Sequence, residues 1–173
     1  IGVIGDGEYY GSQPGIGIDK WGRIHVIWTG ELGFCYRRRE VDGSWSAPKF
    51  VGWDGACNPG FWVEPSGRLH LVYDYLTWVG YVCSYDGGET WSENENLYND
   101  DSPGIYSIAP DVCASDDGEV VVVWTIVYLG EGSGGIGLVR KLPDGEWSSM
   151  EEIRVEEGPL GVCPRFHDGR LFL

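Results

Sequence analysis

The stretch PGIGIDKWGRIHVIW (Pro14–Trp28) decides the fold, because the chain repeats it twice more without gaps. The other copies are PGFWVEPSGRLHLVY (Pro59–Tyr73) and PDVCASDDGEVVVVW (Pro110–Trp124). Each copy reads as a short strand, a turn ending in glycine and an apolar run, and such a run bounded by turn residues predicts a buried strand. A shorter fourth copy occupies Cys163–Leu173.

Each full copy is followed by a further strand and by a turn that closes on tryptophan, at Trp45, Trp91 and Trp147. Every unit therefore holds four strands, and a repeat of about 40 to 50 residues with four strands is typical of a propeller blade. One small sheet cannot bury both of its faces alone, so blades stack around an axis.

We therefore predict an all-β chain: a β-propeller segment of four-stranded antiparallel blades, with fewer than four blades over residues 1–173. The predicted blades cover 14–51, 59–97 and 110–155, with a partial blade at 163–173 and a fourth strand at 1–4. Because a propeller needs closure to hide its strand edges, we expect the remaining blades to come from a longer chain or from self-association.

Charge and composition exclude several classes of function. The formal net charge of −15 repels phosphate backbones and argues against nucleic acid as a partner. No apolar run of about 18 residues occurs, so no membrane span is predicted. The five cysteines lack CxxC spacing, which excludes a zinc ribbon or a thioredoxin-like motif and leaves their disulfide pairing open. No cofactor is predicted.

The turn SYDGGETW (Ser84–Trp91) fits the pattern Ser-x-Asp-x-Gly-x-x-Trp, and shortened versions occupy Asp42–Trp45 and Asp144–Trp147. The chain thereby resembles the Asp-box, or bacterial neuraminidase repeat, family of sialidase-like propellers. The resemblance implies a hairpin between third and fourth strands with a structural role for four residues: Ser84, Asp86, Gly88 and Trp91. It also implies an extracellular or periplasmic protein.

The family includes sialidases, other glycosidases and lyases, lectins and sorting receptors, so the fold alone does not give the function. The arginine triad of sialidases is not identifiable in this sequence. Arg23-Ile24 is followed by His25 where the sialidase motif has proline, and Arg23 recurs as Arg68 and Arg170 in the repeat. His25 likewise recurs as His70, which indicates a packing role.

The alternating strand directions place the Asp-box turns on one face of the blades, and the resemblance implies a ligand on the opposite face. The predicted loops there are rich in Tyr, Trp, Asp and Glu and contain no Arg, Lys or His, which favours a neutral sugar. The candidate ligand-binding residues are Tyr10, Trp53, Asp54, Asn58, Asp74, Tyr75, Trp78 and Tyr106. Glu31 and Glu131 are the candidate proton-transfer residues if the chain is catalytic.

The sequence thus predicts a carbohydrate-binding or carbohydrate-processing propeller related to glycoside hydrolases. The alternative is a non-catalytic propeller module used for protein interaction or as a structural unit. The acidic clusters Asn99–Asp101 and Asp116–Asp117 offer oxygens to Ca²⁺, but neither follows EF-hand spacing, and solvated turns are the preferred interpretation.

Overall fold

The structure is a computed structural model that describes residues 12–30, 33–52, 55–130, 133–142, 145–156 and 161–173. The predicted strand at 1–4 lies outside these residues. The described residues form β-strands and turns only, and none of them belongs to a helix that could cross a membrane.

Three four-stranded sheets and one two-stranded sheet follow one another along the chain. The first sheet contains β1 (Ser12–Ile18), β2 (Ile24–Gly30), β3 (Gly33–Arg39) and β4 (Lys49–Val51). The second contains β5 (Cys57–Val63), β6 (Leu69–Tyr75), β7 (Trp78–Ser84) and β8 (Glu95–Asn99). The third contains β9 (Ile105–Ala114), β10 (Val120–Tyr128), β11 (Gly134–Lys141) and β12 (Glu151–Val155). The last is a hairpin of β13 (Arg165–His167) and β14 (Arg170–Phe172).

In every sheet, strands that are consecutive in sequence are antiparallel neighbours. The first strands pack against one another, β1 on β5, β5 on β9 and β9 on β13, which is the radial arrangement of propeller blades. Gly60 makes this approach possible, because a Cβ there would lie 2.6 Å from the carbonyl oxygen of Pro110. The predicted all-β propeller of four-stranded blades is confirmed, and the described sheets form an open arc that does not close.

Two apolar clusters fill the two seams between the three four-stranded blades. One joins Ile27 and Phe34 of the first blade to Leu71 of the second, and the other joins Val72 of the second blade to Trp124 of the third. Leu71 and Val72 are adjacent in β6, and successive side chains of a strand point to opposite faces. The second strand is therefore apolar on both faces because it is buried on both.

The second strands extend beyond the predicted apolar runs. Asp74 and Tyr75 were expected in a loop, but they belong to β6, and β7 begins at Trp78, so that only two residues connect these strands. Asn58 and Tyr106 were also expected in loops and lie at the starts of β5 and β9. The ladder continues past the apolar residues because a two-residue turn keeps the strands paired up to their ends.

A buried carboxylate, histidine and tyrosine lie together in each of the first two blades. His25 Nδ1 is 2.8 Å from the Tyr36 hydroxyl, and His25 Nε2 is 3.2 Å from Asp19 Oδ2. In the second blade, His70 lies 2.8 Å from both the Tyr81 hydroxyl and Glu64 Oε1. A carboxylate can only accept, so Nε2 carries the proton in each histidine. The third blade has Ser115, Val121 and Leu138 at these positions.

The tyrosine of the first blade connects it to the turn of the second. The Tyr36 hydroxyl also contacts the carbonyl oxygen of Gly87 at 2.9 Å, and the Tyr36 ring meets Trp91 edge-on at 5.4 Å. Gly88 lies against the same ring with φ +87°, and a Cβ there would be 2.2 Å from Tyr36. Arg38 Nη1 donates to the Gly87 carbonyl as well, at 2.7 Å. The turn after a third strand is thus fixed by the preceding blade.

The Tyr36→Phe substitution should lower the free energy of unfolding by about 1–3 kcal/mol, because it leaves a buried histidine nitrogen without a partner and removes the hydroxyl whose single proton is shared between that nitrogen and the Gly87 carbonyl. Tyr81→Phe is the matched control, since the Tyr81 hydroxyl contacts a histidine in the same way and contacts no backbone carbonyl among the described residues. Its effect should be smaller by about 1 kcal/mol in urea unfolding. Equal effects would show that the contact with Gly87 contributes nothing.

The two histidines should make stability depend on pH. Burial lowers the pKa of both His25 and His70 from 6.5 and outweighs the opposing effect of Asp19 and Glu64. The unfolded chain therefore binds protons near pH 6.5 that the folded chain does not, and the free energy of unfolding falls as pH falls below that value. Burial alone would raise the pKa of Asp19, but hydrogen bonds from Arg23 and His25 lower it, so acidification below 3.8 removes further stability.

Replacing His25 or His70 by valine, the residue of the third blade at this position, should flatten this dependence. Between pH 7 and 5 the slope of the unfolding free energy should decrease by up to about 1.4 kcal/mol per pH unit for each histidine replaced. Urea unfolding at several pH values measures the slope. His167→Val, at an exposed histidine, should leave it unchanged. An unaltered slope in the buried variants would contradict the expectation.

Candidate functional site

The tip of the second blade brings together five of the candidate ligand-binding residues. We define the blade-2 tip as Asn58, Asp74, Tyr75, Trp78 and Tyr106. The other candidates lie outside the described residues, namely Tyr10, Glu31, Trp53, Asp54 and Glu131. Their roles remain predictions.

Asp74 is the centre of the hydrogen bonding at this tip. Its Oδ2 accepts the Asn58 Nδ2 at 2.8 Å and the backbone N–H of Ala109, in the next blade, also at 2.8 Å. His70, Val72 and Asp74 occupy every second position of β6, so their side chains point to the same face of the sheet, which meets the third blade. The period of the strand therefore brings the carboxylate to the seam between the second and third blades.

Both donors to Asp74 occupy unusual backbone positions. Asn58 has φ +47° and Ala109 has φ +50°, and each precedes a proline at an irregularity in the pairing of a first strand. Left-handed φ is uncommon for residues other than glycine and costs of order 1 kcal/mol or more. The carboxylate of Asp74 stabilises both bulges at once.

Asp74 is only 4% exposed, and this burial raises its pKa above the usual 3.8. The hydrogen bonds from Asn58 and Ala109 oppose the shift but are weaker than the effect of burial. The residues opposite Asp74 in the sheet are Cys57 and Val79, so neither paired strand places a charge beside it. A carboxyl of this kind binds a proton at a higher pH than an exposed one does.

Three partly exposed aromatic side chains lie at the same end of the sheets as this polar group. Tyr75 and Trp78 flank the turn between β6 and β7, with exposed fractions of 43% and 37% and ring centroids 6.3 Å apart. Tyr106 is 38% exposed, and a hydrogen bond from Ser107 N–H to the carbonyl of Leu76, 3.3 Å long, holds its strand against the turn. Exposed ring faces at the same end of the sheets as a carboxylate and an amide are suited to a sugar.

The structure adds groups at this end of the sheets that the sequence did not reveal. The Ala109 amide carries no side-chain signal, and the Ser107 hydroxyl is buried without a partner among the described residues. Arg154 lies in β12 with its guanidinium 4.3 Å from the Tyr128 ring and 2.6 Å from Glu152. This cation was not among the predicted loop residues because Arg154 lies in a strand.

The Ser84–Trp91 turn lies at the opposite end of the sheets. Asp86 accepts the Thr90 N–H at 2.9 Å and the Thr90 hydroxyl at 2.6 Å, and Ser84 Oγ accepts the Gly88 N–H at 2.8 Å. Burial is the largest single effect on the pKa of Asp86 and raises it, but the hydrogen bonds from Thr90, Ser84 and the Glu89 backbone together lower it to about 2. The carboxylate is thus engaged within its own turn.

No group of three or more His, Cys, Asp or Glu is placed to hold a metal within the described ranges. In the two clusters considered for Ca²⁺, Asp100 accepts the Ser102 N–H at 2.8 Å and Asp117 accepts the Ser115 hydroxyl. Both aspartates therefore make the local hydrogen bonds of turn residues.

No known protein family matches the sequence, and no curated protein matches it. Among solved structures, the chain is similar to an endo-arabinase from Bacteroides thetaiotaomicron, with a TM-score of 0.57 and 15% identity. The similarity covers 88% of this chain and 66% of the endo-arabinase, so the chain spans just under two thirds of that protein. A protein of unknown function from Dyadobacter fermentans is similar over 90% of this chain and 72% of its own, with a TM-score of 0.42 and 11% identity.

At this identity the likeness to the endo-arabinase shows a shared fold. It agrees with the propeller arrangement of the sheets described above.

Proposed function

We propose that this chain is part of a carbohydrate-binding or carbohydrate-processing propeller related to glycoside hydrolases, with its ligand at the blade-2 tip. The observation that carries the proposal is that a buried carboxylate, an amide and three partly exposed aromatic rings occur at the same end of the sheets. Rings stack on the C–H face of a sugar, while carboxylate and amide groups bond to its hydroxyls. The similarity of fold to an endo-arabinase supports this choice of ligand class.

The ligand we propose is a neutral sugar. The blade-2 tip contains no cation to pair with a sugar carboxylate, and the net charge of −15 opposes the approach of an anion. Arg154, the cation at this end of the third blade, is already paired with Glu152. Because the chain is similar in fold to an endo-arabinase, arabinan is the first polymer to test. An array of neutral and acidic glycans follows.

Trp78→Ala and Tyr75→Ala should each weaken binding of a neutral glycan about tenfold or more, because a partly exposed ring at the tip no longer stacks on the sugar. The control is Tyr85→Ala, which removes an exposed ring at the opposite end of the sheets. Its affinity should equal that of the wild type in isothermal titration. A folded wild-type protein that binds no glycan on the array would refute the proposed function and favour a protein-interaction or structural module.

Turnover would distinguish processing from binding. If the protein is a glycosidase, Glu31→Gln or Glu131→Gln should abolish release of reducing sugar, because each removes the carboxyl that transfers a proton. The melting temperature should change little. Full activity in both variants would exclude these two residues as the proton-transfer groups.

A further inference from the structure

Asp74 departs from the repeat at a position where the other two blades agree. Thr29 and Thr125 take the equivalent place, one residue after Trp28 and Trp124. A residue that recurs in every blade is explained by packing, whereas Asp74 places an ionisable group where its neighbours have a small hydroxyl. Burial of a carboxylate is unfavourable unless it is compensated, so packing alone does not account for this choice.

The two oxygens of Asp74 have different surroundings. Oδ2 takes both protein donors, Asn58 Nδ2 and the Ala109 N–H. Oδ1 has no hydrogen-bond partner in the part of the chain that the structure describes. An ionised carboxylate has about four acceptor positions, so Oδ1 retains its full capacity to accept.

We propose that Asp74 determines the specificity of the site, with Oδ2 held by the protein and Oδ1 accepting a hydrogen bond from a hydroxyl of the bound sugar. This inference rests on the proposed function. It selects a ligand that donates at this position and disfavours acidic sugars, whose carboxylate would meet Oδ1 as a second acceptor. The proposal requires that this contact be made through the 4% of Asp74 that remains exposed.

The Asp74→Asn variant tests the proposal because the surroundings fix the orientation of the new amide. Two donors face the Oδ2 position, so the amide oxygen takes that place and the NH₂ group takes the place of Oδ1. The variant keeps both hydrogen bonds to Asn58 and Ala109 and changes the ligand-facing atom from an acceptor to a donor. Asp74→Thr gives the second blade the threonine that the other two blades have at this position. This change removes the carboxylate oxygen Oδ1 by another route.

Binding is measured by isothermal titration with arabinan, or with the neutral array glycan of highest signal where arabinan does not bind. We expect at least tenfold weaker binding for Asp74→Asn and Asp74→Thr, and a melting temperature for Asp74→Asn close to that of the wild type. Asp116→Asn, the same change at an exposed carboxylate at the other end of the sheets, should bind as the wild type does.

If both Asp74 variants bind normally while Trp78→Ala does not, the role of Asp74 is overturned and the proposed function stands. If the wild type binds no glycan, both fail. If the variants do not fold, the pH dependence of binding by the wild type still tests the proposal. Its affinity should fall with pH at a midpoint above the usual 3.8 of this carboxyl, since a protonated Oδ1 donates instead of accepting. A flat profile between pH 7 and 4 would overturn the inference.

Discussion

Each four-stranded sheet of this protein buries its faces only against the sheets beside it, and the rest of the structure depends on this constraint. Leu71 and Val72, adjacent in the second strand of the middle blade, belong to different apolar clusters because one faces each neighbour. Burial of an apolar side chain of this size stabilises by about 1.5–3 kcal/mol. A blade without its neighbours would lose much of that contribution on both sides.

Polar groups give the seams their register. The Tyr36 hydroxyl lies between His25 of its own blade and the Gly87 carbonyl of the next, and Trp91 packs on the same ring. Buried polar atoms are costly without partners, so the contacts of the Tyr36 hydroxyl with His25 and Gly87 favour one placement of the two blades. The Ser84–Trp91 turn is consequently held at the end of the sheets opposite the blade-2 tip.

The repeat provides an internal reference for separating structure from function. The histidine of the second strand recurs in two blades with the same partners and gives way to Val121 within an apolar set in the third, which is the behaviour of a packing position. Asp74 is different, because the equivalent residue is threonine in both other blades. Its carboxylate joins two blades, stabilises two left-handed residues and leaves one oxygen without a hydrogen-bond partner among the described residues.

The sequence by itself determined the fold class, because the period of Pro14, Pro59 and Pro110 and the apolar runs depend on local chemistry that recurs in each unit. It also selected Asn58, Asp74, Tyr75, Trp78 and Tyr106 as polar and aromatic residues of predicted loops at one end of the sheets. Only the tertiary structure decided that Asp74 meets the Ala109 amide of the next blade and that these residues end strands instead of filling loops. A backbone N–H carries no signature in the sequence, and the pairing of strand ends depends on contacts between residues 35 positions apart.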